Sequence, residues 1–284
     1  MSQQLGNISK IIRSSVIDGP GNRMVIFFQG CNLNCIYCHN SHTIGVCDFC
    51  GICVTECPTN SLEIKSKGYI KVNESTCIKC DRCLEVCPKN SSPFYKKMSV
   101  FDLISEIIEV KDFISGITVS GGEVMLQSEF LVELFSEMKK DNELKKLSIL
   151  VDTNGNASRQ KWDSLINLVD GFMLDIKSFS SEIHKKITGH GNEKILDSIK
   201  YLDKKGKIEG VRFVVVPGYN DSEEEVGNIA KYMRTLSPNI MKIVIRMRKH
   251  GIRKEYNYLV EPTEKKIERI RKIFMKFGVD IVIV

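Results

Sequence analysis

The residues best suited to chemistry are the cysteines, because all eleven lie between Cys31 and Cys87 of the 284-residue chain. This confinement indicates a local functional site rather than a disulfide framework. In a cytosolic chain, clustered thiols are more often metal ligands or catalytic groups than disulfide partners. The spacing divides the thiols into three groups that account for every cysteine. These groups are Cys31, Cys35 and Cys38; Cys47, Cys50, Cys53 and Cys57; and Cys77, Cys80, Cys83 and Cys87.

Both four-cysteine groups have the spacing C-x2-C-x2-C-x3-C-P, which is the bacterial ferredoxin pattern for two [4Fe–4S] clusters. In that pattern three close thiolates hold one cluster and the fourth cysteine crosses to the other. Residues 47–90 are therefore predicted to form a ferredoxin-like insert. Paired zinc sites are the alternative, which the third close thiol and the CP ending disfavour. The predicted ligand sets are Cys47, Cys50, Cys53 and Cys87 for one cluster, and Cys57, Cys77, Cys80 and Cys83 for the other.

The first cysteine group supplies only three thiolates, at Cys31, Cys35 and Cys38. A cubane cluster held by three protein ligands leaves one iron open, as catalytic metal sites keep one position free. The spacing thus predicts a cluster that can bind a small molecule, whereas the other two groups predict closed clusters.

The composition indicates a globular protein, with 42% hydrophobic and 27% charged residues and a formal net charge of +6. No apolar run approaches the roughly 18 residues of a membrane span, and the first ten residues lack the apolar stretch of a secretory signal. We therefore expect a cytoplasmic protein without membrane association. The densest basic patch, 246–254, lacks the interleaved aromatic residues of a nucleic-acid site and is interpreted as a solvated or protein-docking surface.

Short apolar runs alternate with helix-length segments along the chain, which predicts repeated βαβ units and a parallel sheet. Ser99 with Asp102, Ser222 with Glu225, and Pro262 mark predicted helix starts, and Phe101, Ile104 and Ile108 are apolar positions of the first of these helices. The residues outside 47–90 suffice for six strand–helix pairs, and an open doubly wound sheet remains an alternative. The predicted strands are 22–28, 117–119, 147–151, 171–176, 211–216 and 242–247.

Polar motifs stand at the ends of three of these strands, where ligands bind in either architecture, and a charged residue lies within a fourth. Gly121-Gly122-Glu123 is either a tight turn or a loop that lets a ligand approach closely beside a carboxylate. The segment 152–155 is either an Asx turn or a ligand contact. The segment 173–177 is either an ion pair on a loop or a ligand contact. Arg212 stands in an apolar run and must have a partner inside the sheet, either an acidic neighbour or an anionic ligand.

The Cx3CxxC spacing with Tyr37 before the last cysteine resembles the signature of radical S-adenosylmethionine (SAM) enzymes. The segment DGPGNRMVIFFQGC, ending at Cys31, and the run Cys38-His39-Asn40 resemble the glycyl-radical-enzyme activases. With the two-cluster insert, the chain looks most like the YjjW-type activases. The resemblance covers residues 15–251 and implies an α/β partial (β/α)6 barrel formed by 1–46 and 91–284, with 279–284 as an extra edge strand.

The same resemblance implies roles for residues at the strand ends. It implies SAM contacts by Tyr37, Gly121, Gly122, Glu123, Asn154, Lys177 and Arg212, although Val124 stands where the family usually has proline. It suggests a monovalent-cation site lined by Asp152, Thr153, Asp175 and, through its backbone carbonyl, Met173, whose hard oxygen ligands make chemical sense. His250 is expected near the glycine-bearing loop of a protein substrate.

The implied activity is reductive cleavage of SAM at the three-thiol cluster to a 5′-deoxyadenosyl radical, which removes hydrogen from a backbone glycine of a partner enzyme. The other two of the three [4Fe–4S] clusters are expected to relay electrons from flavodoxin or ferredoxin. Three alternatives stay open at this point: a radical SAM enzyme that acts on a small molecule or peptide, an iron–sulfur electron-transfer protein, and a zinc-binding module.

Overall fold

The computed structural model describes residues 4–65 and 69–284, which form a nine-stranded sheet, a separate two-stranded hairpin and the helices around them. The strands are β1 Leu5–Ser15, β2 Arg23–Phe28, β3 Leu62–Lys65, β4 Tyr69–Val72, β5 Lys96–Ser99, β6 Gly116–Gly121, β7 Ser148–Thr153, β8 Gly171–Asp175, β9 Ile208–Val215, β10 Met241–Arg246 and β11 Val282–Ile283. The helices are α1 Ile52–Thr55, α2 Arg82–Glu85, α3 Val100–Val110, α4 Ser128–Lys140, α5 Arg159–Leu165, α6 Ser181–Thr188, α7 Glu193–Lys204, α8 Glu223–Arg234 and α9 Glu264–Lys276.

The main sheet has the strand order β11-β10-β9-β8-β7-β6-β2-β1-β5. From β2 to β11 every neighbouring pair is parallel, which confirms the predicted parallel sheet and all six predicted strands. The order from β2 to β10 follows the chain without reversal, whereas a doubly wound sheet reverses at a switch point. The fold is therefore a singly wound segment of a barrel, and the predicted C-terminal edge strand pairs with β10.

Two strands of the main sheet lie outside the predicted set. β1 pairs antiparallel with β2, and β5 pairs antiparallel with β1 through Leu5–Ile8. β1 mixes polar and apolar residues, and its partners lie up to about ninety residues away in the chain. Nothing local in its sequence distinguishes it from a loop.

Local capping signals predicted the helix starts well. The Ser99 side chain accepts from the backbone of Asp102, and the Asp102 carboxylate accepts from the backbone of Ser99, which completes a capping box at α3. Ser222 caps α8 through the Glu225 amide. The buried face of α3 is offset by one position from the predicted one. Phe101 and Ile108 are exposed, and the buried residues are Val100, Leu103 and Ile107.

The segment that follows the first cysteine group, residues 47–65 and 69–90, contains the same pattern of backbone conformations twice, thirty residues apart. Within the described ranges, the residues other than glycine with positive φ are confined to this segment: Phe49, Asn60, Lys79, Asp81 and Asn90. Phe49 matches Lys79, Asn60 matches Asn90, and Gly51, with φ 84°, matches Asp81, so the left-handed positions recur with the cysteines. A short helix, α1 or α2, follows Gly51 and Asp81.

Both ends of this segment are fixed to the end of β2. The Gly45 amide donates to the Asn90 carbonyl at 3.0 Å. The buried Gln29 side chain donates to the carbonyls of His42 and Gly45, both at 2.7 Å, and to Ser91 Oγ at 3.3 Å. Within the described residues, no helix has the length and hydropathy required to cross a membrane.

Candidate active site

The loop that carries Cys31, Cys35 and Cys38 leaves the carboxyl end of β2 and is held by backbone hydrogen bonds on both sides. The amide of Cys31 donates to the Ile44 carbonyl at 2.8 Å. The amides of Asn34 and Ile36 donate to the carbonyls of Thr188 and Ile187, at the end of α6. The position of the three thiols is thus set by main-chain contacts.

The three thiols suit a metal cluster chemically. Burial raises the pKa of Cys31 to about 12 and that of Cys35 to about 11, and it raises the pKa of Cys38 as well. Bound metal deprotonates such thiols, which otherwise stay neutral at pH 7. Between residues 4 and 65 and between 69 and 284, no three His, Cys, Asp or Glu side chains are placed to hold one single metal ion.

In residues 47–90, the fourth cysteine of each group lies near thiols of the other group. Burial, followed by the nearby thiols of Cys47, Cys87 and Cys50, raises the pKa of Cys53 to about 11, so Cys87 lies with the first set. A small cavity is lined by Cys57, Cys77, Cys80 and Cys83, so Cys57 lies with the second set. These positions are compatible with the crossing of the fourth cysteine, and the two ligand sets stay a prediction.

The loop after β6 packs directly against the backbone that precedes Cys31. Gly121 has φ +119°, and a Cβ on Gly122 would lie 2.2 Å from the Gly30 carbonyl oxygen. The Gly122 amide donates to Phe28 and the Glu123 amide donates to Gly30. The close approach that these two glycines allow is therefore to the protein's own chain.

The Glu123 side chain is fully buried and turned toward the protein. Its carboxylate accepts from Thr153 Oγ1 at 2.6 Å and from the amides of Asn154 and Met125 at 2.8 and 2.9 Å. Burial raises the pKa of Glu123 to about 7 against the lowering effect of these three donors. Glu123 thus joins the loops after β6 and β7, and its contact with SAM stays a prediction.

A polar network crosses the carboxyl ends of β7, β8 and β9. Arg212 donates to Asp152 and, at 2.8 Å, to Asp175, and Lys177 donates to Asp175 at 2.9 Å. Burial raises the pKa of Asp175, but Arg212 and Lys177 outweigh it and hold the pKa well below its usual range. Burial lowers the pKa of Lys177, but Asp175 outweighs it, so the pKa stays well above its ordinary value. Arg212 therefore has the acidic partners that its partly buried position within the sheet requires.

Three of the four predicted cation ligands are already engaged by groups of the protein. Asp152 and Asp175 bind Arg212, the Thr153 hydroxyl donates to Glu123, and Met173 lies buried in β8. Arg212 and Lys177 supply positive charge at the position where the monovalent cation was expected. The cation site stays a prediction.

Asn154 and Lys177 face the cysteine loop, to which Tyr37 itself belongs. Asn154 Nδ2 donates to Asn32 at 2.8 Å and lies 3.9 Å from Cys31 Sγ. Lys177 Nζ is 5.8 Å from the centre of the Tyr37 ring, whose buried hydroxyl has no partner among the described residues. The residues predicted to contact SAM thus lie along one edge of the sheet, beside the three thiols.

The loop after β10 closes over the other side of the cysteine loop. The Arg248 amide donates to His39 Nε2 at 3.2 Å, and a Cβ on Gly251 would lie 2.0 Å from the His39 carbonyl oxygen. His250 is exposed between them. Arg253, which the sequence left within a basic run, donates to the Cys35 carbonyl at 3.3 Å, and its side chain is 8% exposed.

Comparison with known proteins shows the family of this chain. The family model of the radical SAM superfamily matches residues 25–233. A trans-4-hydroxy-L-proline dehydratase activating enzyme from Clostridioides difficile is 30% identical over 92% of this chain and 93% of its own length. A pyruvate formate-lyase-activating enzyme from Streptococcus mutans is also 30% identical, over 90% and 86%.

Solved structures show the same fold. A radical SAM methyltransferase from Sphaerobacter thermophilus superposes with a TM-score of 0.55 at 12% identity, covering 78% of this chain and 72% of that one. The cofactors of the superfamily are a [4Fe–4S] cluster and SAM, and the donor set and fold described above suit both. The chain belongs to the radical SAM superfamily and, within it, to the glycyl-radical-enzyme activating enzymes.

Proposed function

We propose that Cys31, Cys35 and Cys38 hold the cluster at which this activase cleaves SAM. When bound, the cluster and SAM supply a 5′-deoxyadenosyl radical, which abstracts a hydrogen atom from a backbone glycine of a partner glycyl-radical enzyme. The observation that carries the proposal is the juxtaposition of three thiols, one buried and two partly buried, with the polar network at the carboxyl ends of the strands. That edge is where ligands bind in barrels of parallel strands.

The protein's own residues bind and orient SAM in this proposal. Lys177 and Arg212 provide positive charge for its carboxylate, and the backbone of Gly121 and Gly122 borders its amino group. Asn154 and Tyr37 line the ribose and adenine side. The buttressed loops keep these groups fixed and exclude water from the reacting atoms, which strengthens each electrostatic contact. His250, exposed on the loop after β10, is proposed to meet the glycine-bearing loop of the partner.

A monovalent cation would have to share Asp152 and Asp175 with Arg212. Cleavage rates in potassium and in lithium test this part of the proposal. Equal cleavage rates in the two salts would show that Asp152, Thr153, Met173 and Asp175 do not bind a monovalent cation. Their roles would then be the contacts within the protein described above.

We further propose that residues 47–90 form a ferredoxin-like insert with two more [4Fe–4S] clusters, within a barrel made by 1–46 and 91–284. The thirty-residue backbone repeat and the grouping of Cys87 with Cys53 support it. The insert then relays electrons from a flavodoxin or ferredoxin to the active-site cluster, because cluster potentials are tuned by the surrounding protein.

The test uses two sets of cysteine variants and two readouts. Reconstituted enzyme is mixed with SAM, a reductant and a candidate glycyl-radical enzyme. The readouts are 5′-deoxyadenosine formation and the electron paramagnetic resonance signal of a glycyl radical. We expect both readouts to disappear when Cys31, Cys35 and Cys38 are changed to Ala.

The matched control is Cys80→Ala with Cys83→Ala. We expect it to keep dithionite-driven cleavage and to lose cleavage driven by flavodoxin. Full turnover of this variant with flavodoxin would remove the relay. Deoxyadenosine without a glycyl radical, together with a modified small molecule or peptide, would assign the chain to another reaction of the superfamily.

A further inference from the structure

A cleft of about 890 Å³ lies between the edge of the main sheet and strand β4, which belongs to the proposed insert, residues 47–90. One wall comes from β1 and from 93–97, which includes the start of β5, and the other from Tyr69–Glu74. β5 pairs with β1 only through Leu5–Ile8, so the rest of this edge of β1 opens into the cleft. We call this space the insert cleft, and the activity proposed above makes no use of it.

The rim of the insert cleft is basic. Lys10, Lys71, Lys96 and Lys97 are exposed, and among the described residues none of the four has a carboxylate within 4 Å. Arg13, a fifth cation, is already paired with Glu106 and Glu109. Of the two acidic residues in the lining, Glu106 is therefore neutralised, and only Glu74 opposes the four lysines. A surface of this kind attracts acidic partners.

The floor of the cleft reaches a proposed cluster ligand. Cys47 and Phe49 line the cleft, and Tyr95, which also lines it, lies close enough to Cys47 for the thiol to raise the Tyr95 pKa, after burial. An electron donor seated here would therefore meet the cluster of Cys47, Cys50, Cys53 and Cys87 first.

That cluster has a short connection to the active-site loop. Cys87 Sγ accepts from the Ser91 amide at 3.4 Å, and Ser91 Oγ accepts from Gln29 Nε2 at 3.3 Å. Gln29 is two residues before Cys31, and the backbone amide of Gln29 donates to the Asn7 carbonyl of β1 at 2.8 Å. The order from cleft to active site is thus Cys47, Cys87, Gln29, Cys31.

We propose that the insert cleft is the docking surface for an acidic one-electron carrier protein, which reduces the Cys47, Cys50, Cys53, Cys87 cluster. In this step the carrier loses one electron and the cluster gains one, with no bond made or broken. The inference rests on the cluster relay proposed above and adds the entry point and the charge of the partner.

The test reverses charge in the cleft and, as a matched control, on the far side of the chain. The cleft variant is Lys96→Glu with Lys97→Glu. The control is Lys265→Glu with Lys272→Glu on α9, which changes the net charge equally at exposed positions outside the cleft lining. Stopped-flow absorbance follows cluster reduction in the reconstituted enzyme by photoreduced flavodoxin, which is acidic, and by methyl viologen radical cation.

We expect the cleft variant to be reduced by flavodoxin about 10- to 100-fold more slowly at low salt, with the difference shrinking toward 0.5 M salt as charges are screened. Reduction by the viologen should not slow, since a small cation gains nothing from the lysines. The control should behave as the parent enzyme with both donors.

A cleft variant reduced by flavodoxin at the parent rate would overturn the proposal, and so would an equal loss in the control. Failure of the relay itself is a separate outcome: flavodoxin would then reduce the active-site cluster as fast in a Cys50→Ala with Cys53→Ala variant, which lacks two ligands of the proposed entry cluster, as in the parent enzyme.

Discussion

Replacement of Gly122 by alanine tests whether the loop after β6 must touch the backbone before the first cysteine. The new Cβ would lie 2.2 Å from the Gly30 carbonyl oxygen and 2.8 Å from the Thr43 carbonyl oxygen. Ordinary van der Waals contact begins at 3.4 Å, so the two loops would have to separate by about 1.2 Å. Both obstacles are backbone atoms, which cannot rotate away as a side chain would.

Overpacking of this kind costs about 1–3 kcal/mol of folding stability. A displacement of about 1 Å near reacting groups can also cost about 100-fold in rate. We therefore expect Gly122→Ala to lower the melting temperature of the reconstituted enzyme by several degrees and its deoxyadenosine rate by about 100-fold.

The matched control is Gly227→Ala in α8, where the new Cβ would meet Phe277 at 3.4 Å, an ordinary contact. Alanine in place of a helical glycine should stabilise the protein by about 1 kcal/mol and leave the rate unchanged. A Gly122→Ala enzyme with the parent's melting temperature and cleavage rate would refute the packing of these two loops.

Three further predictions follow from polar groups that are wholly or partly buried. Arg212→Met leaves Asp152 and Asp175 without their shared cation and should lower the free energy of unfolding by about 3 kcal/mol in urea titrations; an unchanged midpoint would contradict the ion-pair network. Gln29→Leu leaves the His42 and Gly45 carbonyls unpaired and should cost about 1–3 kcal/mol, seen as faster hydrogen exchange at Gly45; unchanged exchange there would contradict it. Burial lowers the pKa of His184 in the folded protein, so the unfolded chain takes up the proton at a higher pH than the folded chain does. The contribution of His184 to stability should therefore be complete above about pH 6.5 and fall below it. A His184→Asn variant whose stability depends on pH in the same way would refute this.

The sequence predicted the features of the fold that depend on local patterns. The cysteine spacing grouped Cys87 with Cys53 although thirty-four positions separate them, and the two thiols lie near each other in the fold, while the cluster that they would share stays a prediction. The alternation of apolar runs predicted the parallel strands, and Ser99 and Ser222 marked helix starts, because capping depends on a few adjacent residues.

Features that depend on distant partners could not be predicted in this way. β1 becomes a strand through pairing with β2 and with β5, so its own residues carry a weak signal. The inward orientation of Glu123 depends on Thr153 and Asn154 on the neighbouring strand. Arg253 lies 218 positions from its partner Cys35, and within a basic run it cannot be distinguished from solvated neighbours.

The central claim is that Cys31, Cys35 and Cys38 hold a catalytic cluster distinct from two others. The most direct measurement is iron per chain and deoxyadenosine formation after anaerobic reconstitution, in the parent enzyme and in a variant with all three residues changed to Ala. We expect about twelve irons and deoxyadenosine in the parent, at four irons for each of three clusters, and about eight irons without deoxyadenosine in the variant. Deoxyadenosine formed by the variant, or a parent that binds only about eight irons and forms none, would contradict the account.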